Sequence, residues 1–192
     1  MKCYIEITLL PGADVTLYFL WTKVYQQLHL ALVEIQDAHH TVNIGVAFPE
    51  YDDEQHQLGC KLRVLAPSAK SLEAVKIEAW LARFSDYLHI TKIRDIPDRV
   101  NGHACFKRIQ PKSSNERLAR RKAKREGVSR SAALTYFQTR KEVYSLAPFI
   151  RMKSHSTGRQ YRLMIVRVDN EENQGAKFST YGLSGVSTVP LF

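Results

Sequence analysis

Cys3-Tyr4-Ile5-Glu6-Ile7-Thr8-Leu9 opens the chain in strict alternation: Cys3, Ile5, Ile7 and Leu9 point one way, Tyr4, Glu6 and Thr8 the other. A period of two marks a half-buried strand, and Pro11-Gly12 ends it. Leu17, Leu20, Trp21, Val24, Leu28, Ala31, Leu32 and Ile35 then recur at helical spacing, with Asp14 as the expected cap. Strands are expected over 43–48, closed by Pro49, and over 61–66, closed by Pro67, with an acidic loop at 50–54 between them. Ser68 is placed to cap a second helix that buries Leu72, Val75, Trp80, Leu81 and Phe84, and a fourth strand is expected over 87–93. The order is βαββαβ. It predicts an α+β protein whose residues 1–94 form a ferredoxin-like (RRM-like) domain, two helices on one face of a four-stranded antiparallel sheet.

Residues 95–192 are expected to form a smaller α+β region. Residues 94–105, with Pro97 and Gly102, read as a linker. Ser113-Ser114-Asn115-Glu116 has the spacing of a capping box, which predicts a helix over 115–126 stopped by Gly127. Ser129 can cap a second short helix ending near Tyr144. Strands are expected over 149–153 and 161–168, separated by Ser154-His155-Ser156-Thr157-Gly158, and again over 177–181 and 189–192.

Charge is far from uniform. Of a net +9 over 192 residues, residues 107–153 hold fourteen Lys and Arg against three acids, so the rest is close to neutral. Basic character confined to one quarter of a chain predicts a polyanion-binding surface there. The expected helix 115–126 concentrates it: at about 100° per residue, Arg117, Arg121, Lys124 and Arg125 share a face, with Arg120 on the flank. Only Leu118, Ala119 and Ala123 are apolar, and the acids Glu116 and Glu126 stand at the ends. A solvated helix with internal ion pairs would need more acids, so nucleic acid is the expected partner. Membrane binding is disfavoured by the lack of an aromatic or leucine face.

Other features are ambiguous alone. Hydrophobic residues make up 44%, enough for folding, yet no apolar run reaches the roughly 20 residues of a membrane span. The first residues lack a secretory leader's apolar core. Cys3, Cys60 and Cys105 form no Cys-x-x-Cys pair, which predicts reduced thiols in a cytoplasmic protein. His29 lies one step off the apolar stripe of the first helix and has no His, Cys or acid at i+3 or i+4, so it reads as an edge histidine and not as a metal ligand. Residues 154–158 read as either a polar turn or a phosphate-contacting loop, since hydroxyls and turn amides suit both.

Several landmarks, taken in order, resemble the CRISPR-associated repeat-RNA endoribonucleases of the I-F (Ypest) subtype. They are Leu28-His29-Leu30-Ala31-Leu32, Ile44-Gly45-Val46-Ala47-Phe48-Pro49, Arg108-Ile109-Gln110 before Lys112-Ser113, Asn115-Glu116-Arg117-Leu118, Ser154-His155-Ser156-Thr157-Gly158, Tyr181-Gly182-Leu183-Ser184 and Val189-Pro190-Leu191-Phe192. The resemblance implies cleavage of precursor CRISPR RNA beside each repeat hairpin, with the product retained. It implies His29 as the catalytic histidine, Ser154 as the residue orienting the attacking ribose, and Tyr181 as a lining residue. Arg108 and Gln110 would read base edges. Arg120, Arg121, Lys124 and Arg125 would enter the hairpin groove, with Arg117 on the same face, Ser156 and Thr157 would hold backbone, and Tyr161 would stack on the closing base pair. The partners implied are the repeat stem-loop, one protein monomer per hairpin, and other effector-complex subunits. Lys124 and Tyr161 stand where Arg and Phe are expected, Ala119 interrupts the arginine run, and His155 replaces Gln. No cofactor or metal is called for, since RNA carries its own 2′-OH nucleophile and the sequence has no carboxylate cluster suited to a metal. A non-catalytic hairpin-binding module and a basic DNA-binding regulator are the alternatives.

Overall fold

The alternating stretch forms β1 (Cys3–Leu9) in a computed structural model that describes residues 1–111, 114–141, 145–173 and 175–192. After it come α1 (Leu17–Glu34), β2 (Thr41–Val42), β3 (Gly45–Ala47), β4 (Lys61–Ala66), α2 (Ala69–Val75), α3 (Ile77–Leu81), a 3-10 turn (Ala82–Tyr87), β5 (Leu88–Ile90), β6 (Arg94–Asp95) and β7 (Gly102–Ile109). The remainder is α4 (Asn115–Glu126), α5 (Arg130–Tyr136), β8 (Phe149–Lys153), β9 (Gln160–Asn170), β10 (Phe178–Ser179) and β11 (Val189–Leu191). It is a mixed α+β protein with antiparallel sheets. Two compact units emerge: 1–109 with 147–192, and 110–146.

In the larger unit the first sheet has the order β3-β4-β1-β5, with β6 pairing the other end of β1. A second, antiparallel sheet has the order β11-β7-β9-β8. Helix α1 packs on β1 and also on β8, so one core draws on both sides of residue 94: Ile7, Leu20, Val24 and Leu62 join Ile150, Leu163 and Ile165. Its apolar stripe is buried from Leu20 through Leu28 to Leu32, while the expected end members Leu17 and Ile35 are only half-buried, Ile35 being the C-cap. Tyr25, polar at its tip, is buried as well.

Several boundaries differ from expectation, each for a physical reason. Thr16 caps α1 in place of Asp14, its hydroxyl accepting from the Phe19 amide at 3.3 Å. The helix expected after Ser68 breaks at Lys76, whose φ is +53°. Val75 and Ile77 lie about 200° apart on a continuous helix, and the break buries both. Trp80 and Phe84 are consequently only half-buried. The stretch expected as a linker contains β6 and the start of β7, where Ala104, Cys105 and Phe106 are buried consecutively. Strands 43–48 and 87–93 shorten to β3 and β5, and 177–181 to β10, while 161–168 lengthens to β9. The second basic-region helix ends at Tyr136; Ser113 and Tyr144 lie outside the described residues. All three cysteines are free thiols. Among the described residues, no helix is long and apolar enough to cross a membrane.

Candidate functional site

In the larger unit His29 sits on the last turns of α1, partly buried. Its Nδ1 lies 2.9 Å from the Thr180 carbonyl oxygen. A carbonyl only accepts, so Nδ1 carries the proton and Nε2 of the neutral ring holds the lone pair. Its imidazole stacks on the Tyr181 ring, with centroids 4.2 Å apart and planes 7° from parallel. Burial holds the His29 pKa below its ordinary value, and the charges of His155 and Arg108 push the same way; the Thr180 hydrogen bond opposes them. The ring is thus held in one orientation, with burial favouring its neutral form.

Tyr181 is fixed from three directions. The Tyr25 hydroxyl donates to its carbonyl at 2.8 Å, and its own hydroxyl pairs with that of Tyr161 at 2.6 Å. Its backbone is bent by a turn in which the Gly182 amide donates to the Ser179 carbonyl at 2.7 Å. Gly182 has φ +69°, and a Cβ there would stand 2.6 Å from Val46 Cγ1, so only glycine fits. Burial and the Tyr181 contact push the Tyr161 pKa up, so its hydroxyl stays protonated. The Arg108 guanidinium lies 5.3 Å from the Tyr161 ring centroid and 5.7 Å from that of Tyr181. His29, Tyr181, Tyr161 and Arg108 therefore form one cluster.

Ser154 begins the loop after β8. Its Oγ accepts from the Thr157 amide at 3.3 Å and lies 3.2 Å from Ser156 Oγ. The Gly158 amide donates to its carbonyl at 2.8 Å, which closes the turn. Ser156 and Thr157 are exposed on it. The root of this loop is tied to α1, because the Lys153 amide donates to Gln26 Oε1 at 3.1 Å. Gln26 lies three residues before His29, on the same side of the helix. Its Nε2 is buried with no hydrogen-bond partner among the described residues. Gln26, Tyr25 and Thr180 are not singled out by the sequence: the i,i+3 spacing to His29 is a signal that could have found Gln26, and nothing local points to the carbonyl of Thr180.

The smaller unit, 110–146, opens at Gln110 and holds α4 and α5 packed together, with Ala119 and Ala133 fully buried. Ser114 caps α4 by accepting from the Arg117 amide at 3.2 Å, and Gly127 ends it at φ +67°. Arg117, Arg120, Arg121, Lys124 and Arg125 are all exposed. The carboxylates are otherwise engaged: Glu126 takes Lys122 at 2.5 Å and Arg125 at 2.8 Å, and Glu116 takes Arg130 at 2.5 Å. Among the described residues, then, no ion pair neutralises Arg117, Arg120, Arg121 or Lys124.

A family model described as CRISPR-associated protein (Cas_Csy4) matches residues 4–192. The chain belongs to the Csy4 family. A CRISPR-associated endonuclease Cas6/Csy4 from Escherichia coli (strain UTI89 / UPEC) is 32% identical over 193 residues, covering all of both chains. One of the same description from Pseudomonas aeruginosa (strain UCBPP-PA14) is 33% identical over 196 residues, again covering all of both. These Csy4 relatives span the histidine cluster and the arginine-rich helix alike.

Proposed function

We propose that this chain is a CRISPR-associated endoribonuclease that cleaves precursor CRISPR RNA beside the repeat hairpin and keeps the product hairpin. Family membership supports the nuclease and its CRISPR setting. The observation that carries the mechanism is the tautomer of His29: with Nδ1–H engaged by Thr180, Nε2 is the basic atom. His29 Nε2 removes the proton of the ribose 2′-OH, whose oxygen attacks the adjacent phosphorus while the P–O5′ bond breaks and the departing 5′-oxygen takes a proton from water. The products are a 2′,3′-cyclic phosphate and a 5′-hydroxyl. Because the nucleophile belongs to the substrate, no metal is required. Ser154 orients the ribose, Tyr181 holds the imidazole plane, and Ser156 and Thr157 contact backbone. Tyr161 stacks on the closing base pair with its hydroxyl tied to Tyr181, an anchor that phenylalanine could not supply. Arg108 and Gln110 read base edges. Arg117, Arg120, Arg121, Lys124 and Arg125 grip the stem.

We read residues 1–94 as a ferredoxin-like domain, supported by the strand order β3-β4-β1-β5, and residues 95–192 as the hairpin-binding region. The setting is cytoplasmic, one monomer per hairpin, alongside other effector subunits. A labelled repeat hairpin incubated with the protein in EDTA tests the proposal. Cleavage to a cyclic-phosphate end is expected; a stable shift without cleavage would make the chain a binding module, and preference for duplex DNA a regulator.

The lowered His29 pKa sets the pH response. As a base, Nε2 must be unprotonated, so kcat/KM should rise with pH along a limb centred below the ordinary histidine value of about 6.5 and level off by neutrality. The folded state also binds this proton more weakly than the unfolded chain, so His29 costs stability as pH falls from about 6.5 through the lowered value. A rate that falls with rising pH across that window would assign His29 as the acid.

A further inference from the structure

One surface of the larger unit has no role in the site above. β8 is an edge strand whose Ile150 and Met152 face the core, leaving Phe149, Arg151 and Lys153 outward. Arg162 of β9 stands directly opposite Arg151. Like charges facing each other across a ladder repel, and among the described residues neither arginine has a carboxylate partner. Each guanidinium instead lies over a ring: Arg151 at 5.5 Å from Tyr18 and Arg162 at 4.7 Å from Phe149. The two rings meet edge to face at 5.9 Å. Tyr18 is 41% exposed and the neighbouring Phe19 47%, with Lys23 over the Phe19 ring at 5.1 Å. Flat exposed rings interleaved with uncompensated cations stack bases and neutralise phosphates, the combination that binds single-stranded nucleic acid.

We propose that this face binds single-stranded RNA, namely the unpaired segment joined to the hairpin at the cleaved phosphate. That identity rests on the hairpin-cleaving reading above; the surface itself does not. Continuity favours it over a protein partner. β8 runs directly into Ser154, and its last amide is held by Gln26 one turn before His29, so RNA lying along β8 leads into the reacting centre. From Phe149 to Lys153 the strand offers about 13 Å, a track for a short segment.

Anisotropy titrations with three RNAs test this: a bare repeat hairpin, the hairpin with its unpaired flank and a 2′-deoxy residue at the cut, and the flank alone. The wild-type protein should hold the flanked hairpin about tenfold more tightly than the bare one. R151A/R162A should erase that advantage, reduce the salt slope for the flanked RNA by roughly 1.4, and leave bare-hairpin affinity and cleavage unchanged. Tyr18→Ala should remove part of it without altering the slope. Both arginines are exposed, and removing their repulsion should not lower Tm. Equal wild-type affinity for flanked and bare hairpins, or a variant that weakens both alike, would overturn the proposal while leaving hairpin cleavage standing. Binding of the free flank through Arg151 and Arg162 in a protein that ignores hairpins would instead overturn the cleavage reading and keep the surface.

Discussion

His29→Ala should stop cleavage while leaving hairpin affinity unchanged. The loss expected from removing a positioned base is about 10²–10⁴-fold in the single-turnover rate. Affinity should survive because the neutral ring contributes no charge against phosphate, its pKa being held down by burial. The substitution removes one partner of the stacked pair with Tyr181, so a thermal melt belongs beside the kinetics. A folded His29→Ala protein that still cuts at a comparable rate would remove His29 from the chemistry, and His155 would be the next residue to replace.

The second large effect lies on α4. Replacing Arg117, Arg121 and Lys124 together by alanine should weaken hairpin binding on the order of a thousandfold, at about 1.5 kcal/mol for each charge-assisted contact. The slope of log affinity against log salt should flatten by about three phosphate-equivalents. Arg125→Ala alone should do less than one full equivalent, because its guanidinium already engages Glu126 at 2.8 Å. The helix itself should persist: Ser114, Gly127 and buried Ala119 are untouched, and alanine is the better helix former. Titration at several salt concentrations decides it. An unchanged slope would mean that this face does not meet phosphate.

Legibility followed how local each determinant is. Helix α4 was readable to the residue because its limits are local, although the capping hydroxyl is that of Ser114. The break at Lys76 was not readable. No glycine or proline marks it, and its cause is the burial of Val75 and Ile77 by the rest of the fold. Strand β7 passed for linker because a strand between two neighbours, buried at Ala104, Cys105 and Phe106 in succession, shows no alternation. In the candidate site, chemistry-bearing side chains were visible by type and order. What orients them was not: the Thr180 carbonyl, the Tyr161–Tyr181 hydroxyl pair and the Gln26 tether are contacts between segments far apart in the chain.

That separation has a consequence for the order in which the protein acquires its powers during synthesis. His29 leaves the ribosome early, but the carbonyl that selects its tautomer comes 151 residues later, on the turn that needs Gly182. At about 5–20 residues per second, a nascent chain spends roughly 3–11 seconds with the arginine-rich helix already emerged and the histidine still unaligned. On the proposed roles of His29 and the arginine-rich helix, the chain can attract RNA during that interval and cannot cut it. Catalytic competence is thus a property of the nearly finished polypeptide, and a ribosome stalled before residue 180 would display a binder in place of a nuclease.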